Sequence, residues 1–154
     1  MIWTPEHTAA FLTYAARHRL YALYRLIALR GLRRGEACGL RIADLDLDHA
    51  TAAIRWQITQ LGWETAQGTP KTDASNRTIA LDTETVTALH THLDRHQHKR
   101  QITGNIWTET GLVFTTPTGT PLHPARVTEQ FHWLSYQAGL PPSGCTTCGT
   151  APPP

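Results

Sequence analysis

From Leu29 to Leu40 the chain reads Leu-Arg-Gly-Leu-Arg-Arg-Gly-Glu-Ala-Cys-Gly-Leu, two apolar helical patterns joined at Gly31 with Arg33 and Arg34 just behind it. An arginine at the start of a helix sets a planar, permanently charged fork beside the first turn's free N–H groups. Both kinds of donor favour an anion, phosphate above all. The stretch reads as a corner that handles phosphate.

The whole chain narrows this only a little. At 154 residues it fits one domain and could bury roughly 70% of its unfolded surface if that domain is complete. A net charge of +2 gives no global basic field, so nucleic-acid binding has to rest on where individual arginines stand. Of the 14 cationic residues only Lys71 and Lys99 are lysine. Arginine suits bidentate phosphate contacts, but a GC-rich genome produces the same bias and takes the larger share of the explanation. No signal peptide and no run of about 18 apolar residues is present, which leads to the expectation of a soluble, cytoplasmic chain. Cys38, Cys145 and Cys148 do not make a secreted disulfide framework.

Thr4-Pro5-Glu6 opens a helix with a hydroxyl cap, proline at the first position and acid in the first turn. A second helix is predicted from about Leu20 to Leu29, and a shorter third carries Arg33, Glu36, Ala37 and Leu40, with Arg33 and Glu36 one turn apart. Ile54, Trp56 and Ile58 alternate at strand period over Thr51 to Gly62; a loose arm returns to Thr72, and Arg77 to Leu81 forms a third strand. Asp82 or Thr83 caps the next helix, with Val86, Leu89, Leu93 and Ile102 on its buried side. Leu112-Val113-Phe114 reads as a short buried strand. Pro124 opens a last helix through Val127, Phe131, Leu134 and Tyr136, and Gly139 caps it. The expected class is α+β, mostly helical with a small three-stranded antiparallel sheet.

The order of these elements and several blocks resemble the catalytic domain of the tyrosine recombinases, the phage integrase family. The resemblance runs from about Ile2 to Pro142: Trp3-Thr4-Pro5-Glu6, Gly31 to Leu40, Pro70-Lys71-Thr72 with Ser75-Asn76-Arg77-Thr78-Ile79, and Ala138-Gly139-Leu140-Pro141. The family cuts duplex DNA through a tyrosine that attacks a phosphodiester, while arginines and a histidine hold the non-bridging oxygens. Preplaced cations there stabilise the transition state more than the ground state. The resemblance makes Arg33 the first catalytic arginine, Glu36 its supporting acid and Lys71 the general acid for the leaving 5′ oxygen. A helix-surface acid is an equal reading of Glu36, and a solvated hairpin lysine a weaker one of Lys71.

Arg30, Arg34 and Arg77 are the candidate DNA contacts. Arg30 stands where the family has a small residue, so it either adds a phosphate contact or disturbs packing. His90, His92, His96 and His98 include four-residue spacings that suit a metal, but a solvated polar face is the better reading. Tyr14, Tyr21, Tyr24 and Tyr136 precede the family's nucleophile position and read as packing residues.

After Pro141 the family continues into a His-x-Leu-Arg-His block and, later, the tyrosine. Here the chain reads Pro-Ser-Gly-Cys-Thr-Thr-Cys-Gly-Thr-Ala-Pro-Pro-Pro to Pro154. Cys145-x-x-Cys148 is half a zinc knuckle and a weak signal. The genetic code offers a stronger account. Read from each codon's third base, with C or G at the free positions, residues from Ser143 onward become Arg-Leu-His-Asp-Leu-Arg-His-Gly-Ala-Ala. That is the expected family block in the expected place.

The expectation is therefore a partial catalytic domain over 1–142 and a disordered, out-of-frame tail over 143–154. Such a chain would lack the second arginine, the histidine partners and the nucleophile, and would be inactive alone. Its expected partners are double-stranded DNA and other recombinase protomers, with no cofactor, metal, membrane or small-molecule substrate. A non-enzymatic DNA-binding or dominant-negative module is the alternative, and a small metal protein using Cys145 and Cys148 a distant third.

Overall fold

A computed structural model describes residues 3–61, 64–68 and 77–141. Its elements are α1 (Pro5–Ala15), α2 (Tyr21–Arg30), α3 (Arg34–Cys38), β1 (Leu45–Asp46), β2 (Thr51–Ile54), β3 (Gln57–Leu61), β4 (Glu64–Gly68), β5 (Arg77–Ala80), α4 (Thr83–Thr103) and α5 (Pro124–Gln137). The class is as the sequence implies, helices around small antiparallel sheets.

Local chemistry explains most helix ends. The Thr4 hydroxyl accepts from the His7 N–H while His7 Nδ1 accepts from the Thr4 N–H, both at 3.2 Å, so a histidine closes a reciprocal cap usually made by Glu or Gln. α2 ends at Gly31, whose φ of 70° lies in the left-handed region open to glycine. Asp82 caps α4 by accepting from the Thr85 N–H at 3.2 Å, and Pro124 supplies the first residue of α5.

The predicted strand over Thr51 to Gly62 is interrupted. Arg55 and Trp56 separate β2 from β3, and the two halves join different sheets. β2 lies between β1 and β5, all antiparallel, whereas β3 pairs with β4. Leu112, Val113 and Phe114 are buried as expected, but in place of a strand they make an isolated bridge between Leu112 and Arg41.

The core is a continuous apolar cluster that includes Phe11, Leu23, Leu26, Leu32, Ile54, Leu89 and Phe114. At one end Trp3, Phe11 and Phe131 stack with centroids 4.8 to 5.4 Å apart, and the Trp3 indole N–H donates to Pro141 O at 2.9 Å. Two residues expected on buried stripes face solvent. Ile102 is 71% exposed and Tyr136 68%; each stands nine residues after a stripe position, Leu93 and Val127, which is half a turn round the helix. Tyr14 is also exposed, so of the four tyrosines only Tyr24 is fully buried and Tyr21 partly so.

One polar feature sits inside the core. Arg25 of α2 is buried; it donates to Thr85 Oγ1 at 3.1 Å, the Tyr21 hydroxyl at 3.0 Å and Asp82 Oδ2 at 2.9 Å. Every branch of its guanidinium is thereby bonded, which a buried charge requires. The result fastens α2 to the cap of α4.

Candidate functional site

The corner predicted from Leu29 to Leu40 is assembled by burial of its apolar residues. Leu32, Ala37, Cys38 and Leu40 are all within 2% of complete burial, which pins the turn and α3 to the core and leaves Arg30 and Arg33 facing solvent. Arg33 occupies the cap position of α3. Among the described residues neither the Arg30 nor the Arg33 guanidinium has a protein partner, so both remain available to an external anion.

Glu36 differs from its neighbours. Its side chain is 2% exposed, and a carboxylate so buried must be paired and hydrogen-bonded. Its Oε1 accepts the Arg33 backbone N–H at 2.9 Å. Arg77, the first residue of β5, closes the other side with Nη1 to Oε2 at 3.0 Å and Nη2 to Oε1 at 3.4 Å. The surface-acid reading of Glu36 therefore fails, because its carboxylate is enclosed between the cap of α3 and the edge of the sheet.

This bonding also changes how an anion would be held. The Arg33 N–H is committed to Glu36, and α3 is only 5 residues long. That leaves guanidinium groups, and little of a helix terminus, to meet any anion there.

Arg34 turns away from the corner and donates to Thr128 Oγ1 of α5 at 2.6 Å. Close approach of backbone completes the frame. A Cβ on Gly35 would lie 2.7 Å from Ile58 O, and one on Gly39 would lie 2.8 Å from Gln57 Cα, so α3 rests directly on the start of β3. Beside it Arg41 donates from Nε to Asp44 Oδ2 at 2.9 Å, with its guanidinium carbon 4.6 Å from the Trp56 ring centroid.

Lys71, Ser75 and Asn76 of the predicted hairpin, and Cys145 and Cys148, lie outside the described residues. The histidines of α4 divide. His90 and His98 are exposed, as a solvated face requires, but His92 and His96 turn inward. His92 places Nε2 at 2.6 Å from Val113 O and Nδ1 at 3.2 Å from Arg19 O, and its ring lies 4.7 Å from that of Phe114. Burial pushes its pKa below the ordinary histidine value. It serves as a clamp between α4 and two loops, and among the described residues no group of three or more His, Cys, Asp or Glu is placed to hold a metal. Burial pushes the Cys38 thiol up to about 12, so it is inert as a nucleophile. No helix among the described residues is long and apolar enough to cross a membrane.

Comparison with known proteins bears on the family and the fold. The model of the phage integrase family matches residues 4–146. A tyrosine recombinase XerC-like protein of Caldanaerobacter subterraneus subsp. tengcongensis is 28% identical over 136 residues, covering 80% of this chain and 35% of the relative. A Staphylococcus phage integrase is 28% identical over 120 residues, covering 76% of this chain and 34% of the relative. The chain thus spans about a third of the length of these curated relatives. Among solved structures, XerA recombinase superposes with a TM-score of 0.69 at 20% identity, over 91% of this chain and 42% of that one. A Tn1549 transposon integrase in complex with a circular intermediate DNA gives 0.77 at 18% identity, over 96% and 50%.

Proposed function

This chain belongs to the phage integrase family, and on that premise we propose that its Arg33 corner grips a phosphate of duplex DNA as part of a tyrosine-recombinase catalytic domain. The observation that carries the proposal is the contrast within the corner. The Glu36 carboxylate is fully enclosed and bonded, while the Arg33 guanidinium beside it is exposed with no protein partner among the described residues. A cation anchored at its backbone and free at its tip can meet an oxyanion without breaking a protein contact.

In the intact reaction a phosphodiester exchanges its 5′ oxygen for a tyrosine oxygen, and negative charge gathers on the non-bridging oxygens. Arg33 would meet that charge, an interaction whose loss costs about 3 kcal/mol of barrier in comparable oxyanion sites. Glu36 would act through Arg33, Lys71 would protonate the departing oxygen, and Arg30 would take a neighbouring phosphate. Arg34, held on Thr128, is better placed to join α3 to α5 than to read DNA. Acting on DNA, the chain would work in the cytoplasm and could meet other recombinase protomers there.

Salt-dependent binding of a labelled duplex tests the reading. Binding should weaken steeply between about 50 mM and about 200 mM salt. Arg33→Ala should lower affinity and reduce the salt slope by about 1; absence of binding at low salt, or an unchanged slope, would overturn it. The out-of-frame account of residues 143–154 is tested separately by the coding DNA, whose neighbouring frame should continue into the arginine block and then a tyrosine.

A further inference from the structure

Arg77 belongs to the corner by sequence pattern as a DNA contact, yet its guanidinium faces into the protein. β5 pairs with β2 so that Arg77 lies opposite Ile54 and Ile79 opposite Ala52. Arg77 and Ile79 alternate inward together, and Ile79 packs on the core. A slip of one residue would turn both outward, so the register that buries Ile79 also aims Arg77 at α3. There it meets Glu36 with two nitrogens, at 3.0 and 3.4 Å, and the same carboxylate holds the Arg33 N–H at 2.9 Å.

From this chain of bonds we infer that Arg77 is a positioning residue for Arg33. It fixes the Glu36 carboxylate, the carboxylate fixes the backbone at the cap of α3, and the cap sets where the Arg33 guanidinium points. The sheet edge and the anion-gripping arginine thereby form one unit, linking residues 41 positions apart in the chain. A planar fork meeting both carboxylate oxygens suits this task in a way that a lysine does not. The importance of this link for DNA rests on the Arg33 reading above, but the link itself does not.

The test uses the full chain and two readouts. Without DNA, hydrogen exchange at the Arg33 amide reports whether Glu36 still holds it. Arg77→Ala should accelerate that exchange by about tenfold relative to amides of α4, and Arg77→Lys, keeping one charge but not the fork, should fall between. With duplex DNA, Arg77→Ala should weaken binding by about tenfold, and should add no loss in the Arg33→Ala background, because its effect travels through Arg33. Arg33 exchange unchanged by either variant would overturn the inference. So would losses that simply add, with the salt slope falling by about 1, the signature of a direct phosphate contact. If Arg77→Ala does not fold, Arg77→Lys carries both measurements. A wild-type chain that binds no duplex would refute the proposed function, while the exchange result would still decide the link.

Discussion

Gly39→Ala should lower stability, and the size of the loss follows from the seat of α3 on β3. Gly39 has φ −89° and ψ 0°, a conformation alanine also adopts, so backbone strain is not at issue. Space is. The new methyl would meet Gln57 Cα at 2.8 Å, Trp56 O at 2.9 Å and Gln57 C at 3.0 Å, all backbone. Carbon atoms in ordinary contact sit about 3.5 to 4.0 Å apart, so either α3 or β3 must retreat by about 0.7 Å. Overpacking of this kind costs about 1–3 kcal/mol. Alanine also restricts the unfolded chain, which returns about 0.4–1 kcal/mol. The net is a loss of about 1–2 kcal/mol, or a Tm lower by about 2–8 °C for a chain of this size. Calorimetry or thermal circular dichroism reads it directly. A variant as stable as the parent would refute the close packing that frames Arg33, Glu36 and Arg77.

Two further outcomes are expected. Burial holds the His92 pKa below its unfolded value; stability should be full above about pH 6.5 and fall as the pH drops below that, since the unfolded chain then binds more protons. His92→Gln should flatten part of this slope in urea titrations at several pH values, leaving the share of His18, His96 and His132, whose pKa values burial also lowers. Cys38, buried with its thiol pushed up to about 12, should resist iodoacetamide in the native protein and label only on unfolding; peptide mass spectrometry would show native labelling if the site is open.

What could be read from the sequence was what depends on neighbours in the chain. The caps at Thr4, Asp82 and Gly31, the proline starts at Pro5 and Pro124, and the buried positions Val127, Phe131 and Leu134 are local or periodic signals, and the structure carries each. The stripes were wrongly extended to Ile102 and Tyr136, which lie nine residues after Leu93 and Val127 and so on the opposite helix face. The break at Arg55-Trp56 was hidden because alternation continues across it from Ile54 to Ile58, while the two halves enter different sheets.

The site divided in the same way. The arginine block was visible as a motif. The distant partners were not, in the block or behind it, since Glu36 meets Arg77 across 41 residues, Arg25 meets Thr85 across 60 and Arg34 meets Thr128 across 94. Composition assigns each of these arginines to the surface. Only the fold shows that Arg25, Arg34 and Arg77 fasten elements together while the Arg33 side chain is exposed.

Arginine side-chain proton–nitrogen correlation spectra, recorded while a short duplex is titrated into the chain at low salt, test that division most directly. The Arg33 Nε–H resonance should move in proportion to binding, while that of Arg77, already held on Glu36, stays close to its starting position. Saturation of binding with the Arg33 resonance unmoved would contradict the assignment of the phosphate grip to Arg33.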